Sequence, residues 1–273
     1  MGRVTTRRQV LRLDGARTVA RPDTLVVEEP LEIRVAGESL AVTMRTPGDD
    51  FDLTAGFLLT EGVLRSADDL RAMRYCAGSI DEGVNTYNLL DVELGPGAAV
   101  PAGAQRRFYT TSSCGVCGKA SLDAVRTTAA WEVRDDPVRL DSAMLAGLPD
   151  SLRSAQRVFE RTGGLHAAGL FDAAGRLLCL REDIGRHNAF DKVIGWALRE
   201  GRVPLRGTVL LASGRASFEL TQKALMAGVP ALAAVSAPSS LAVDLAAEAG
   251  MTLVGFLRGT TMNVYTGAHR LGL

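Results

Sequence analysis

Apolar positions are most regularly spaced in the last third of the chain. Residues 208–212, Thr-Val-Leu-Leu-Ala, form a continuous apolar run of the length of a buried strand. A helix over about 218–227 follows, stopped by Gly228 and Pro230. Residues 231–235 predict a second strand, 241–249 a helix closed by Gly250, and 251–256 a third strand. Ahead of them, 188–199 places Ala189, Phe190, Val193, Ile194, Ala197 and Leu198 on one helical face, and Gly201 and Pro204 end it. Strand and helix alternate with short connections, which predicts an α/β fold with a parallel sheet.

Upstream the pattern is more mixed. Residues 166–171 and 176–181 predict a hairpin around Asp172-Ala173-Ala174-Gly175. Asp150 is placed to cap a helix carrying Leu152, Ala155, Val158 and Phe159, which Gly163-Gly164 ends. A further helix is expected over 120–128. Residues 1–45 read as β-rich, with Gly37-Glu38 turning 31–35 into 40–44. Asp50 is placed to cap a helix bearing Phe51, Ala55, Leu58 and Leu59. Ser66 to Asp69 resembles a second helix start of the capping-box kind, and 85–94 has strand character. The expected division is a β-rich N-terminal portion, 1–135, and an α/β portion, 136–273.

Composition narrows the function classes. The chain of 273 residues carries 31 basic and 31 acidic side chains. That balance gives no sign of a nucleic-acid or membrane partner. No apolar run approaches the roughly 18 residues of a membrane span. The N-terminus has charge without an apolar core behind it, so no secretory signal is expected. Its Met-Gly-x-x-x-Thr match to an acylation pattern reads as chance. Four cysteines, Cys76, Cys114, Cys117 and Cys179, are too few for a disulfide scaffold and fit a reducing, cytoplasmic setting.

Two of them carry the strongest chemical signal. In Ser113-Cys114-Gly115-Val116-Cys117-Gly118-Lys119 the glycines leave both sulfurs sterically open. Lys119 favours thiolate if it lies near a sulfur. One reading is half of a zinc site, but Cys76 and Cys179 are single and distant, and no resident metal is expected. A second is a thioredoxin-like redox pair, though that motif normally follows a strand in a small βαβ domain. A third is sulfur relay: one thiolate accepts a sulfane sulfur as persulfide and its neighbour helps release it.

The ends of the late strands form a second group. Ser213, Gly214 and Arg215 follow the first, Ser236 the second, and Phe256 to Asn263 the third. In a parallel sheet such loops open at one edge, where ligands bind. Glycines and hydroxyls before helix N-termini offer N–H donors to phosphate, and Arg215 and Arg258 suit a diphosphate. Ordinary capping explains each loop singly.

A third stretch is Arg181-Glu182-Asp183-Ile184-Gly185-Arg186-His187-Asn188. His187 with Glu182 or Asp183 suits acid–base work, but the local pattern favours a salt-bridged loop with Asn188 as helix cap. His166 lies in a sequence where zinc deaminases would need a glutamate two residues on. Ala168 stands there and the cysteine pair precedes the histidine, so a core or ligand-shaping role is expected instead.

Taken together, 113–119, 181–192, 213–219 and 255–265 resemble the FdhD family of formate dehydrogenase accessory sulfurtransferases, over about residue 25 to the end. The resemblance implies a core similar to cytidine deaminases and a homodimer. It implies that sulfur passes from a cysteine desulfurase to the molybdenum of bis-(molybdopterin guanine dinucleotide), which activates formate dehydrogenase. It assigns the persulfide to Cys114, with Cys117 as the second cysteine. It assigns the guanine-dinucleotide contact to Phe256, Leu257, Arg258, Gly259, Thr260 and Thr261, for which a guanine nucleotide is the expected mimic. A thiol–disulfide oxidoreductase and a non-enzymatic cofactor-binding chaperone are the competing expectations.

Overall fold

The structure is a computed structural model, and it describes residues 3–76, 80–81, 84–100 and 129–273. Cys114, Cys117 and the helix expected over 120–128 lie outside the described residues.

The chain opens with β1 (Thr5–Asp14) and β2 (Arg17–Val26), an antiparallel ribbon in unbroken register from Thr5↔Val26 to Asp14↔Arg17. A four-stranded sheet follows from β3 (Glu29–Val35), β4 (Glu38–Arg45), β5 (Leu70–Tyr75) and, after the short pair β6 (Ile80–Asp81) and β7 (Val84–Asn85), β8 (Leu89–Leu94). Its order is β4-β3-β8-β5. Helix α1 (Asp50–Thr60) lies between β4 and β5 in the chain.

The second half begins with α2 (Ser142–Ala155) and α3 (Arg157–Thr162). Then come β9 (His166–Asp172), β10 (Leu177–Asp183), α4 (Arg186–Arg199), β11 (Thr208–Ala212), α5 (Phe218–Met226), β12 (Ala231–Ala234), α6 (Ser240–Ala249), β13 (Thr252–Arg258) and β14 (Thr261–Thr266). The six strands form one sheet in the order β10-β9-β11-β12-β13-β14. The α/β class expected from the alternation is present. The sheet is mixed rather than wholly parallel: β11, β12 and β13 are parallel, while β9 and β14 run against their neighbours. Adjacent parallel strands need a crossover, which α5 and α6 supply, while a tight turn joins strands that run antiparallel.

Alternation sorts the strand side chains to two faces. Val209, Leu211, Ala231 and Ala233 pack with Leu145, Leu148 and Leu152 of α2. Leu210, Ala212, Leu232 and Ala234 belong to a larger core that continues through Phe190 and Val193 of α4 and Leu53 and Leu58 of α1 to Leu31 and Ile33 of the four-stranded sheet. The crossing of α1 and α4 is so close that it admits only glycine. A Cβ on Gly56 would lie 1.9 Å from the Asp191 carbonyl oxygen, and one on Gly195 1.8 Å from that of Asp52.

Four local expectations are corrected. Asp150 sits inside α2, whose cap is Asp141, its carboxylate accepting from Met144 N at 2.7 Å. Pro149, adjacent to Asp150, is itself accommodated within that helix. Asp50 is the first residue of α1, not its cap, and its carboxylate turns to Arg45 and Tyr75 instead. Ser66 does open a box with Asp69, whose carboxylate accepts from Ser66 N at 2.9 Å, but only one turn of 3-10 helix follows before β5. The strand expected over 85–94 is broken: Asn85 ends β7, and the pattern resumes only in β8.

Candidate functional site

The C-terminal ends of β10, β11, β12 and β13 and the start of antiparallel β9 meet at one edge of the large sheet. Backbone hydrogen bonds then sew the loops together laterally. Ser213 N donates to Ala167 O at 3.0 Å, and Ala167 N donates back to Ser213 Oγ at 2.9 Å. Ser236 N donates to Gly214 O at 3.1 Å, and Phe256 N to Ser236 O at 3.2 Å. Arg258 Nε donates to Val235 O at 3.2 Å, and Thr261 Oγ1 to Arg258 O at 3.0 Å. Ser213, Gly214, Ser236, Phe256, Arg258 and Thr261, drawn from loops far apart in sequence, are thereby held in one row.

The remaining residues of the expected contact fall differently. Arg215 is exposed on the loop after β11, while Gly259 and Thr260 form the exposed turn between β13 and β14. Leu257 is fully buried and belongs to the core against α2, so it supports the row from beneath. The expected third strand-to-helix loop is a β-hairpin: β13 runs on to Arg258 and β14 returns beside it. A helix N-terminus therefore follows only two of the three strands. Both are already capped, α5 by Ser217 Oγ accepting from Leu220 N and α6 by Ser239 Oγ accepting from Ala242 N.

Phe256 stands out in the row. Its φ of +52° lies in the left-handed region, where a Cβ is strained. The ladder shifts register between Gly255 and Arg258, and the residue is left 38% exposed. The Arg258 guanidinium lies 5.8 Å from the ring centroid. Gly255 beside it has no room for a side chain, since a Cβ would meet Pro238 and Tyr265 at 2.9 and 3.0 Å. A strained aromatic beside a cation at a sheet edge is suited to stack on a flat heterocycle.

A second set of groups at this edge was not singled out from the sequence as a unit. His166, at the start of β9, lies next to Gly214, where a Cβ would sit 3.6 Å from the imidazole. Arg186 and His187 open α4, whose cap position is Gly185 with no side-chain cap. The Nε of Arg186 is buried without a hydrogen-bond partner. His187 Nε2 lies 3.2 Å from Glu219 Oε2, but out of line for a hydrogen bond. Burial pushes His187 down to about 4 against the pull of Glu219, and Arg186 adds to the fall. Burial, then Arg186, also lowers His166. Both imidazoles are thus neutral near pH 7. An uncapped 14-residue helix with an arginine donor to spare suits an anion.

The acid–base pairing considered for His187 is not formed. Glu182 accepts from Val158 N at 3.0 Å and Phe159 N at 2.7 Å, tying down the first turn of α3. Asp183, fully buried, accepts from Thr46 N, Gly185 N and Asn188 Nδ2, and pairs with Lys192 at 2.8 Å. Asn188 lies within α4 and is not its cap. Its amide bridges Met44 O and Asp183. The ion pairs expected of this stretch are present, but Arg181 to Asp183 belong to β10 and Arg186 to Asn188 to α4, so only Ile184 and Gly185 are loop and Asn188 is not the cap.

Of the two described cysteines, Cys179 is buried in β10, which pushes its thiol up to about 12 and leaves it inert. Cys76 is partly exposed just after β5. Among the described residues no cluster of three or more His, Cys, Asp or Glu could hold a metal ion, and no helix is long and apolar enough to cross a membrane.

Comparison with known proteins gives a consistent result. Residues 26–272 match the model of the FdhD/NarQ family. The Sulfur carrier protein FdhD of Streptomyces avermitilis is 66% identical, the match covering 100% of this chain and 98% of the relative. That of Mycobacterium tuberculosis is 58% identical, over 99% of this chain and 100% of the relative. A solved structure from Desulfotalea psychrophila, described as a candidate formate dehydrogenase accessory protein, superposes with a TM-score of 0.77 over 98% of this chain and 100% of that one. At 22% identity that likeness speaks for the fold.

Proposed function

The chain belongs to the FdhD/NarQ family, and we propose that it is a sulfur carrier serving formate dehydrogenase. In this reading a cysteine desulfurase presents a persulfide. The Cys114 thiolate attacks its terminal sulfur, the desulfurase thiolate leaves, and Cys114 holds the sulfane sulfur. Attack of the Cys117 thiolate on Cys114 Sγ then releases hydrosulfide and forms a Cys114–Cys117 disulfide, which a dithiol reductant reopens. The sulfur is destined for the molybdenum of bis-(molybdopterin guanine dinucleotide), bound here as substrate.

The observation that carries the reading is the family match over residues 26–272. The sheet edge supports it through the chemistry of its donors. Phe256 and Arg258 suit a guanine ring, and the spare Arg186 donor at the start of α4 suits a diphosphate. Arg215 adds an exposed cation on the neighbouring loop. A deaminase-like core, a homodimer and a cytoplasmic location belong to the same proposal. The mixed sheet with helices on both faces supports the first, and the need to keep thiols reduced supports the last.

The test is mass spectrometry after incubation with a cysteine desulfurase and cysteine. One additional sulfur is expected on the peptide containing Cys114, and none in Cys114→Ala, which also leaves formate dehydrogenase inactive. Undiminished sulfur loading of Cys114→Ala overturns the assignment of Cys114. Full activation of formate dehydrogenase by a chain lacking both Cys114 and Cys117 overturns the relay itself.

A further inference from the structure

The ribbon of β1 and β2 has two outer edges, and they are finished differently. Val27 N donates to Val4 O at 2.9 Å, and these two residues continue the register that runs from Thr5↔Val26 to Asp14↔Arg17. In an antiparallel pair, rows that exchange backbone hydrogen bonds alternate with rows that do not. Thr6, Arg8, Val10, Arg12 and Asp14 therefore bond across the ribbon, while the N–H and C=O groups of Arg7, Gln9, Leu11 and Leu13 turn outward. On β2 the outward-turned residues include Pro22, opposite Gln9. Proline has no N–H to offer there, and Val26 at the base lies beside Gly164. The edge of β2 is thus blunted. On β1 the outward donors are complete, and among the described residues no further strand pairs with them.

The side chains define what such a strand must carry. Residues that bond across the ribbon share one face, and those that turn outward share the other. On β1 the first face carries Arg8, Val10 and Arg12, with Asp23, Arg21 and Val19 across from them. Asp14 ends this face at the tip. The second face carries Arg7 near the base and then Gln9, Leu11 and Leu13. Leu11 and Leu13 are 71% and 74% exposed. Arg7, Arg8, Arg12 and Arg21 are exposed too, and none of them forms an ion pair among the described residues.

Two unlike faces select the occupant. An anionic lipid surface that took Leu11 and Leu13 would leave Arg8 and Arg12 turned away from its headgroups. A nucleic acid lying on Arg8 and Arg12 would leave the leucines in water. A second β1 centred on Val10 would set Arg8 against Arg12, and like charges directly opposite are destabilising. An extended polypeptide uses both faces at once. Laid antiparallel along the edge, it bonds to the backbone of Arg7, Gln9, Leu11 and Leu13, and its side chains alternate with the same period of two. Carboxylates opposite Arg8 and Arg12 fall in rows without hydrogen bonds, where the Cα atoms approach to about 4.5 Å and side chains are closest. Apolar residues opposite Leu11 and Leu13 cover them.

We propose that the outer edge of β1, residues 7–13, is a docking edge that takes up an extended segment of a partner protein as a third antiparallel strand, its carboxylates alternating with apolar side chains. Two strands alone in water are marginally stable, and a third supplies what the ribbon lacks. The family match begins at residue 26, the last residue of β2. The edge therefore lies outside the stretch that carries the proposed sulfur chemistry, and the two stand or fall separately.

Fluorescence anisotropy tests the proposal, with the full chain and a dye-labelled peptide of alternating glutamate and valine as long as β1. Saturable binding is expected. Glutamine in place of every glutamate, or Arg12→Glu in the chain, is expected to weaken it about tenfold. Far-ultraviolet dichroism and sulfur loading of Cys114 are expected to be retained in Arg12→Glu. N-methylation of the valines, whose N–H groups face β1, is expected to abolish binding. N-methylation of the glutamates, whose N–H groups face away, is expected to leave it within about twofold. Equal loss from the two methylated peptides, or none from either, overturns strand addition. Binding indifferent to both glutamine and Arg12→Glu overturns the charge match. No saturable binding of the unmodified peptide removes the docking edge, and tighter β1-dependent binding to anionic vesicles or to DNA overturns it in favour of lipid or nucleic acid.

Discussion

The junction between α1 and α4 and the open edge of the six-stranded sheet are both rich in charge, and they handle it in opposite ways. At the junction every buried ion has a partner. Lys223 pairs with Asp191 at 2.9 Å, Lys192 with Asp183 at 2.8 Å, and Arg181 with Asp52 at 2.8 Å. At the edge Arg186 keeps a spare buried donor, Arg258 lies exposed beside a strained phenylalanine, and two histidines are held neutral. Buried charges without partners would be ruinous at the junction. Groups left under-satisfied at the edge remain available to a ligand. The junction fixes the position of the edge, and the edge keeps polar groups free for the proposed substrate.

The largest expected effect comes from breaking the junction where it is tightest. Gly195→Ala puts a methyl 1.8 Å from the Asp52 carbonyl oxygen, which is backbone on the facing helix and cannot swing aside. Helices α1 and α4 must separate, opening the core between the two sheets. A loss of about 4 kcal/mol or more is expected in urea denaturation. Gly259→Ala, in the exposed turn of the edge with open space around it, gives the contrast. Its cost is expected to be about 1 kcal/mol, from the positive φ alone.

Next comes the buried pair. Lys192→Met leaves Asp183 fully buried with its neutral donors, Thr46 N, Gly185 N and Asn188 Nδ2, but without its counter-charge. About 3 kcal/mol of stability should be lost, read again from the denaturation midpoint. An unchanged midpoint would mean that the three neutral donors suffice, and that the junction's charges are not what distinguishes it from the edge.

These two predictions also show why one region was easier to read in the sequence than the other. Thr208–Ala212 and the helical face of Ala189, Phe190, Val193 and Ile194 could be read directly, because burial on a regular element leaves a period. The ends of β11 and β12 followed from them, and with them Ser213, Gly214 and Ser236. The row they form with Phe256 depends on lateral hydrogen bonds between loops, which no period encodes. His166 and Arg186 meet the row only because β9 runs antiparallel between β10 and β11. Strand β5, Leu-Arg-Ala-Met-Arg-Tyr, was masked by the helix signal of Ser66 and Asp69 just before it. In α2 the cap is Asp141, and Asp150, although apolar residues follow it at helical spacing, lies inside the same helix.

A smaller effect separates the two regions by pH. His187 falls from 6.5 to about 4 in the folded chain because burial disfavours its charged form. Between those values the unfolded chain takes up a proton that the folded chain refuses. The stability this group confers is therefore full above about 6.5 and is lost as pH falls toward 4. His187→Gln is expected to flatten the fall of the urea midpoint across that window while leaving the midpoint near pH 7.5 little changed. Parallel curves for the two proteins would show that the edge does not hold His187 neutral, and would place it with the paired charges of the junction.

The smallest effect tests whether the edge stores strain. At φ +52° a phenylalanine carries the cost of any Cβ in the left-handed region, about 1–2 kcal/mol. Phe256→Ala removes the ring and keeps the strain, whereas Phe256→Gly removes both. The glycine variant is therefore expected to be the more stable of the two by about 1 kcal/mol, once glycine's extra chain entropy is allowed for. Both variants lose the face that Arg258 accompanies, so calorimetry should show guanine-nucleotide binding weakened to a similar extent in each. Equal stability of the two variants would mean that the bulge between Gly255 and Arg258 relaxes freely and the edge is no more strained than the junction. Equal stability with unaltered nucleotide affinity would remove Phe256 from the contact altogether, leaving the cations of the edge to hold the ligand without it.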